Sequence, residues 1–162
     1  MTRSKSATCC FTGHRSIPPE SRDLVRATLA RAISALYGEG YRHFVAGGAV
    51  GFDAMAAELV LAYKKHYPDI TLTLILPCSN QAAGWSKQER EVYEAQRKAA
   101  DEVICLSPRY YDGCMQKRNQ AMVDASSACI AYLTRPRSGA GQTVRMAEKA
   151  GHRVFNVALA EE

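Results

Sequence analysis

The sequence predicts a doubly wound α/β domain of the Rossmann-like kind, a mostly parallel sheet with helices on both faces. Six apolar, β-rich runs recur at 7–12, 43–46, 70–76, 102–106, 128–133 and 153–159, and helix-length segments separate them. Of 162 residues, 47% are hydrophobic, which is enough apolar material for one filled core and one domain, 1–162. Several of the runs end in glycine-containing turns that lead into the next helix.

The elements come in order. After the first run, a helix from about Pro19 to Tyr37 places Val25, Leu29, Ala32, Ile33 and Leu36 on one face, with Pro19 near its start and Gly38 and Gly40 after its end. After the second, a helix from about Gly51 to Lys65 carries Phe52, Met55, Ala56, Leu59, Val60 and Tyr63 on one stripe, and Pro68 closes it. The third helix opens with a capping box, Ser86-Lys87-Gln88-Glu89, and runs to about Ala100. Two shorter helices are predicted over 113–126 and 142–150. The default strand order for this alternation is 3-2-1-4-5-6, with right-handed crossovers and ligands bound outside the carboxyl ends of the strands, near the switch between the two halves.

Composition narrows the function classes. The charged fraction is 23% and no low-complexity tract occurs, so unstructured chain is expected at most in the first and last few residues. No apolar run approaches the roughly 20 residues that span a bilayer, and the polar start MTRSKS lacks the apolar stretch of a secretory signal. A cytoplasmic protein without a membrane partner is expected. The six cysteines form no C-x-x-C pair and have no histidine at zinc spacing, so they read as reduced thiols, mostly small core residues, and no metal or separate cofactor is required. Cys9 and Cys10 are expected on opposite faces of a strand. A net charge of +5 suits an anionic partner without demanding one.

The candidate site is read from the residues at the carboxyl end of each strand. Gly13, His14 and Arg15 form a glycine turn with two polar or cationic side chains suited to a phosphate. Gly47, Gly48 and Gly51 lie in a loop that opens a helix, where amide groups and the helix dipole favour an anion; Asp53 sits in the first turn, as a dipole-complementing or capping residue or a ribose or base contact. The loop lacks the Gly-Lys-Ser/Thr of a Walker motif. Pro77, Gln81 and Trp85 make a polar loop with one aromatic that offers cover to a flat ring, core packing being the other reading of Trp85. Arg118 and Asn119, early in the fourth helix, are expected to reach a phosphate and a neighbouring loop or ligand, so that Arg118→Ala would cost affinity rather than the fold. Gly139, Gly141 and Thr143 belong to a second glycine turn opening a helix, a second anion site facing the first. Together they point to a nucleotide or nucleotide derivative as ligand.

The series TGHR at 12–15, GGAVGFD at 47–53, Pro77-Cys78 with Gln81 and Trp85, YYDGCMQKRNQAMVDASS at 110–127 and GAGQTVRMAEKAG at 139–151 resembles the YpsA-like branch of the SMF/DprA/LOG (SLOG) superfamily, over nearly the whole chain in one order. The resemblance implies a Rossmann-like domain that binds nucleotides or nucleotide-derived signals, as a sensor or regulatory domain, in bacterial stress, division or defence. It also implies self-association, as a homodimer. LOG-type relatives hydrolyse nucleoside monophosphates with a P-G-G-x-G-T-x-x-E motif. In the matching stretch, Ser138 to Arg145, the proline and second glycine are replaced, and no carboxylate follows before Glu148. DprA-type relatives imply single-stranded DNA as the alternative partner, for which Trp85, Tyr110 and Tyr111 near Arg109, Lys117 and Arg118 would supply stacking and charge.

Overall fold

The computed structural model describes residues 4–159; the expectation of unstructured ends concerns residues largely outside that range. The elements are β1 (Thr8–Gly13), α1 (Arg22–Gly38), β2 (His43–Ala46), α2 (Phe52–His66), β3 (Thr71–Leu76), α3 (Lys87–Ala99), β4 (Glu102–Cys105), α4 (Cys114–Asp124), β5 (Ala128–Tyr132), α5 (Gly139–Lys149) and β6 (Arg153–Asn156). Every strand pairing is parallel. Short 3₁₀ turns precede α1, over Pro19–Ser21, and succeed β6, over Val157–Leu159, where the apolar pattern had extended the strand. The helix α5 starts three residues before the predicted Gln142, because Ser138 caps it by accepting the Gly141 amide at 3.0 Å.

Alternation along the strands sends successive side chains to opposite faces. Cys9, Phe11, Phe44, Leu72, Leu74 and Ile130 pack under α1 and α2, whereas Cys10, Val45, Ile75, Cys129 and Ala131 meet Met122 of α4 and Val144 of α5. The adjacent cysteines therefore part as predicted. Five of the six cysteines are buried, Cys105 is exposed, and all are free thiols. Phe11 stacks on Phe44 and meets Phe52 edge to face, so one aromatic cluster ties β1, β2 and the start of α2 together.

The strand order is β4-β3-β2-β1-β5-β6, not 3-2-1-4-5-6. β4 continues outward beside β3 to the sheet edge, and β5 takes the place beside β1 that the default order gave to the fourth strand. Burial accounts for the difference. All five residues of β5 are buried, as a central strand requires, whereas β4 begins with Glu102 and is exposed along its length. The switch point thus lies between β1 and β5. No described helix is long and apolar enough to cross a membrane.

Candidate functional site

At the switch point the carboxyl ends of β1 and β5 lie side by side, and His14 holds their loops together. Its side chain is 4% exposed; Nε2 accepts the amides of Thr134 at 2.9 Å and Arg135 at 3.2 Å, and the ring stands edge to face on Tyr132. An amide can only donate, so Nε2 is unprotonated and serves as the acceptor. Burial, with the Arg135 guanidinium beside it, pushes the imidazole below its ordinary pKa. This histidine organises the site rather than offering it a charge. A depressed folded-state pKa makes its contribution complete above the unfolded value of about 6.5 and lost as the pH falls below it. Urea unfolding at pH 7.5 and 5.5 is expected to show that loss in the wild type and to show less of it in His14→Gln.

The loop between β2 and α2 is held from within. Asp53 Oδ2 accepts the amides of Gly47 at 3.2 Å and Ala49 at 3.5 Å, while Arg118 Nη1 donates to the Gly47 carbonyl at 2.5 Å and its Nε to Asn119 Oδ1 at 2.8 Å. Gly47 is thus gripped by a carboxylate at its amide and a guanidinium at its carbonyl. A Cβ there would stand 2.7 Å from Arg118 Cζ and 2.8 Å from Asp53 Oδ2, which is why the position is glycine. Arg118 is 5% exposed, and burial pulls its pKa down while Asp53 partly restores it. Burial pushes the Asp53 carboxyl up, opposed by Arg118 and the two loop amides. Two loop amides that the sequence offered to a phosphate are therefore engaged by Asp53. Gly51, at φ 79° and ψ −124°, brings α2 against the Arg15 backbone, and Phe52 donates its amide to the His14 carbonyl at 3.1 Å.

Two adjoining cavities open along these loops, with Arg15 and Ala49 in the wall of both. The smaller, about 280 Å³, brings together Gly13, His14, Arg15, Asp53, Arg118, Asn119 and Gly139 with Arg135, Ser138, Ala140 and Met115. Among the described residues, the amides of Gly139 and Ala140 at the start of α5 make no hydrogen bond. The larger, about 450 Å³, is lined by Arg15, Gly48, Gly51 and Trp85 together with Arg22, Tyr93 and Gln96. Trp85 is half-buried and edge to face with Tyr93 at 5.2 Å, so it packs and lines the cavity at once.

The remaining predicted residues support the walls from behind. Gly47 is buried in the grip described, and Pro77 is buried at the end of β3. Gln81 Nε2 reaches the Gly48 carbonyl at 3.5 Å. Gly141 donates to the Ser138 cap, and Thr143, fully buried, donates to the Gly139 carbonyl at 3.0 Å. Asp124, a sequence candidate for pairing a basic group, accepts from Gln120 instead. Sequence reasoning missed Arg135, although it lies in the loop directly after β5, and missed Tyr93 and Gln96 because they lie within α3 rather than after a strand.

These features define a class: a parallel α/β domain whose cleft opens at the switch point between two helix-opening loops. The chain belongs to the YspA SLOG family, which it matches over residues 10–156. The UPF0398 proteins of Bacillus thuringiensis (strain Al Hakam) and Bacillus cereus (strain AH187) are each 29% identical over 132 residues, covering 80% of this chain and 72% of theirs. In fold the chain is similar to DNA processing protein A (DprA) from Streptococcus pneumoniae, with a TM-score of 0.68 at 16% identity over 94% of this chain and 50% of that one. DprA from Helicobacter pylori, whose structure addresses its single-stranded DNA binding mode, gives a TM-score of 0.63 at 24% identity over 94% of this chain and 65% of that one. The chain thus spans about half of the first DprA chain and just under two thirds of the second.

Proposed function

We propose that the protein binds a nucleotide or nucleotide-derived phosphorylated ligand across the two cavities, as a sensor or regulatory domain. The observation that carries this reading is the smaller cavity, where Arg15, Arg135 and the unengaged amides of Gly139 and Ala140 converge on one space. The larger cavity, reached past Arg15, offers Trp85 and Tyr93 to a base. Calorimetry with a panel of nucleoside phosphates and dinucleotides is expected to find a ligand. Arg135→Ala should weaken it by roughly 1.5–3 kcal/mol, about ten- to a hundredfold, with the unfolding midpoint little changed, because the lost contact is one charge-assisted hydrogen bond from an exposed side chain. Binding of the whole panel unaffected by this substitution removes the anion from the smaller cavity. No release of free base from nucleoside monophosphates is expected. Asp53, the carboxylate bordering the smaller cavity, is held by two amides, and α5 brings no glutamate where LOG-type enzymes carry theirs.

A second reading, single-stranded DNA, rests on Tyr110 and Tyr111, which are exposed on the loop before α4 beside exposed Arg109 and Lys117. A DNA affinity that falls steeply with salt, with no small-molecule binding, would favour it.

A further inference from the structure

Two cysteines from different elements meet behind the site. Cys78 follows β3 and Cys114 is the first residue of α4, and both are buried. Deeper in the same layer, Ile75 of β3 packs with Met122 of α4, so the two elements converge along their lengths. Burial pushes the Cys78 thiol up, and Cys114, within hydrogen-bonding reach of it, adds to the rise. The Arg118 guanidinium, one helical turn beyond Cys114, lies within electrostatic reach of both sulfurs.

The start of α4 is weakly secured otherwise. Its N-cap is Gly113, at φ 94°, with no side chain to cap the helix, and no acidic residue stands in the first turn. Yet this turn carries the chain to Arg118, whose bond to the Gly47 carbonyl closes the loop of the site. We propose that Cys78 and Cys114 form a reversible disulfide that locks the first turn of α4 onto the end of β3 and so holds Arg118 on the Gly47 loop. The oxidant is hydrogen peroxide. One thiol attacks a peroxide oxygen and becomes a sulfenic acid, releasing water; the other displaces the hydroxyl from that sulfur, which leaves as a second water. The two thiols thus give up two electrons and two protons, and the O–O bond is reduced. The sulfurs must close from contact to bonding distance, and Gly113 supplies the movement, since among the described residues no atom stands within 4 Å of where its Cβ would lie.

As regulation, the lock rests on the ligand site proposed above; the bond and its effect are measured on the free protein, so the two fail separately. After hydrogen peroxide treatment of the folded chain, a peptide map should join Cys78 to Cys114, and dithiothreitol should release them. Cys105→Ser, which removes the exposed thiol, should keep the bond, and Cys78→Ser or Cys114→Ser should lose it. The oxidised chain should unfold at a higher urea concentration, because the bond closes a loop in the unfolded state. Its Gly47 amide, held by Asp53 beside the Arg118 contact, should exchange with solvent severalfold more slowly than in the reduced chain, an effect that a cross-link without influence on Arg118 would not have. Absence of the Cys78–Cys114 bond after peroxide, or a bond from either cysteine to another, overturns the proposal. So does a Cys78–Cys114 bond that leaves Gly47 exchange unchanged. These measurements on the wild-type chain need no substitution, so a misfolded variant does not remove the test.

Discussion

Replacing Arg118 with alanine is expected to lower stability by about 3–5 kcal/mol, the range for leaving a buried charge without the opposite charge that offsets it. This reverses the expectation from sequence that the substitution would spare the fold. Arg118 is almost wholly buried, and its removal takes the donor from the Gly47 carbonyl and leaves Asp53 without the cation that offsets its burial. Asp53 already has a raised pKa in the folded protein. A carboxyl raised on folding contributes stability that is present below its unfolded pKa of about 3.9 and is lost as the pH rises through the folded value. Without Arg118 the folded value rises further, so the deficit of Arg118→Ala should be largest near neutrality and shrink on acidification. Adding Asp53→Asn should recover part of it at pH 7, since no buried charge then stands alone. Urea unfolding of the two single variants and the double variant measures all of this. An Arg118→Ala protein with the wild-type midpoint and weakened ligand binding would restore the guanidinium to the ligand.

The second large effect is expected at Gly51, where alanine should cost stability and ligand affinity together. The residue has φ 79° and ψ −124°, a region that only glycine occupies without strain, at about 1–3 kcal/mol for any other residue. Steric overlap adds to that, because a Cβ would fall on the backbone of Arg15, including its carbonyl. The α2 start and the Arg15 loop must then separate, which threatens the bond from the Phe52 amide to the His14 carbonyl. Arg15 borders both cavities, so its displacement should lower affinity by more than the stability loss alone explains. Calorimetry at a temperature where the variant is still folded separates the two. Unaltered affinity there would mean that the Arg15 loop does not form part of the binding surface.

The glycine loops show how far local pattern carries. The series 47–53 was legible as a turn opening a helix, because glycine density and the apolar stripe behind it are local signals. That two of its amides turn inward to Asp53 was not, since the competing acceptor is set by how the turn closes. For Arg118 the helix was legible and its surroundings were not. Its burial depends on Gly47, 71 positions earlier in the chain. His14 likewise had the composition of a phosphate contact, and the adjacency of β1 and β5 makes it a clamp between loops.

The sequence by itself determined the alternation of strands and helices, the two faces of the sheet and the loops that meet at its carboxyl edge. These arise from backbone periodicity and turn chemistry, which act over a few residues. Only the tertiary structure decided the order of the strands, and with it which loops face each other and which polar groups remain free. That choice depends on how completely each strand can be buried from both sides. Uncharged β5 fills the place beside β1, while β4, starting at Glu102, is left at the edge.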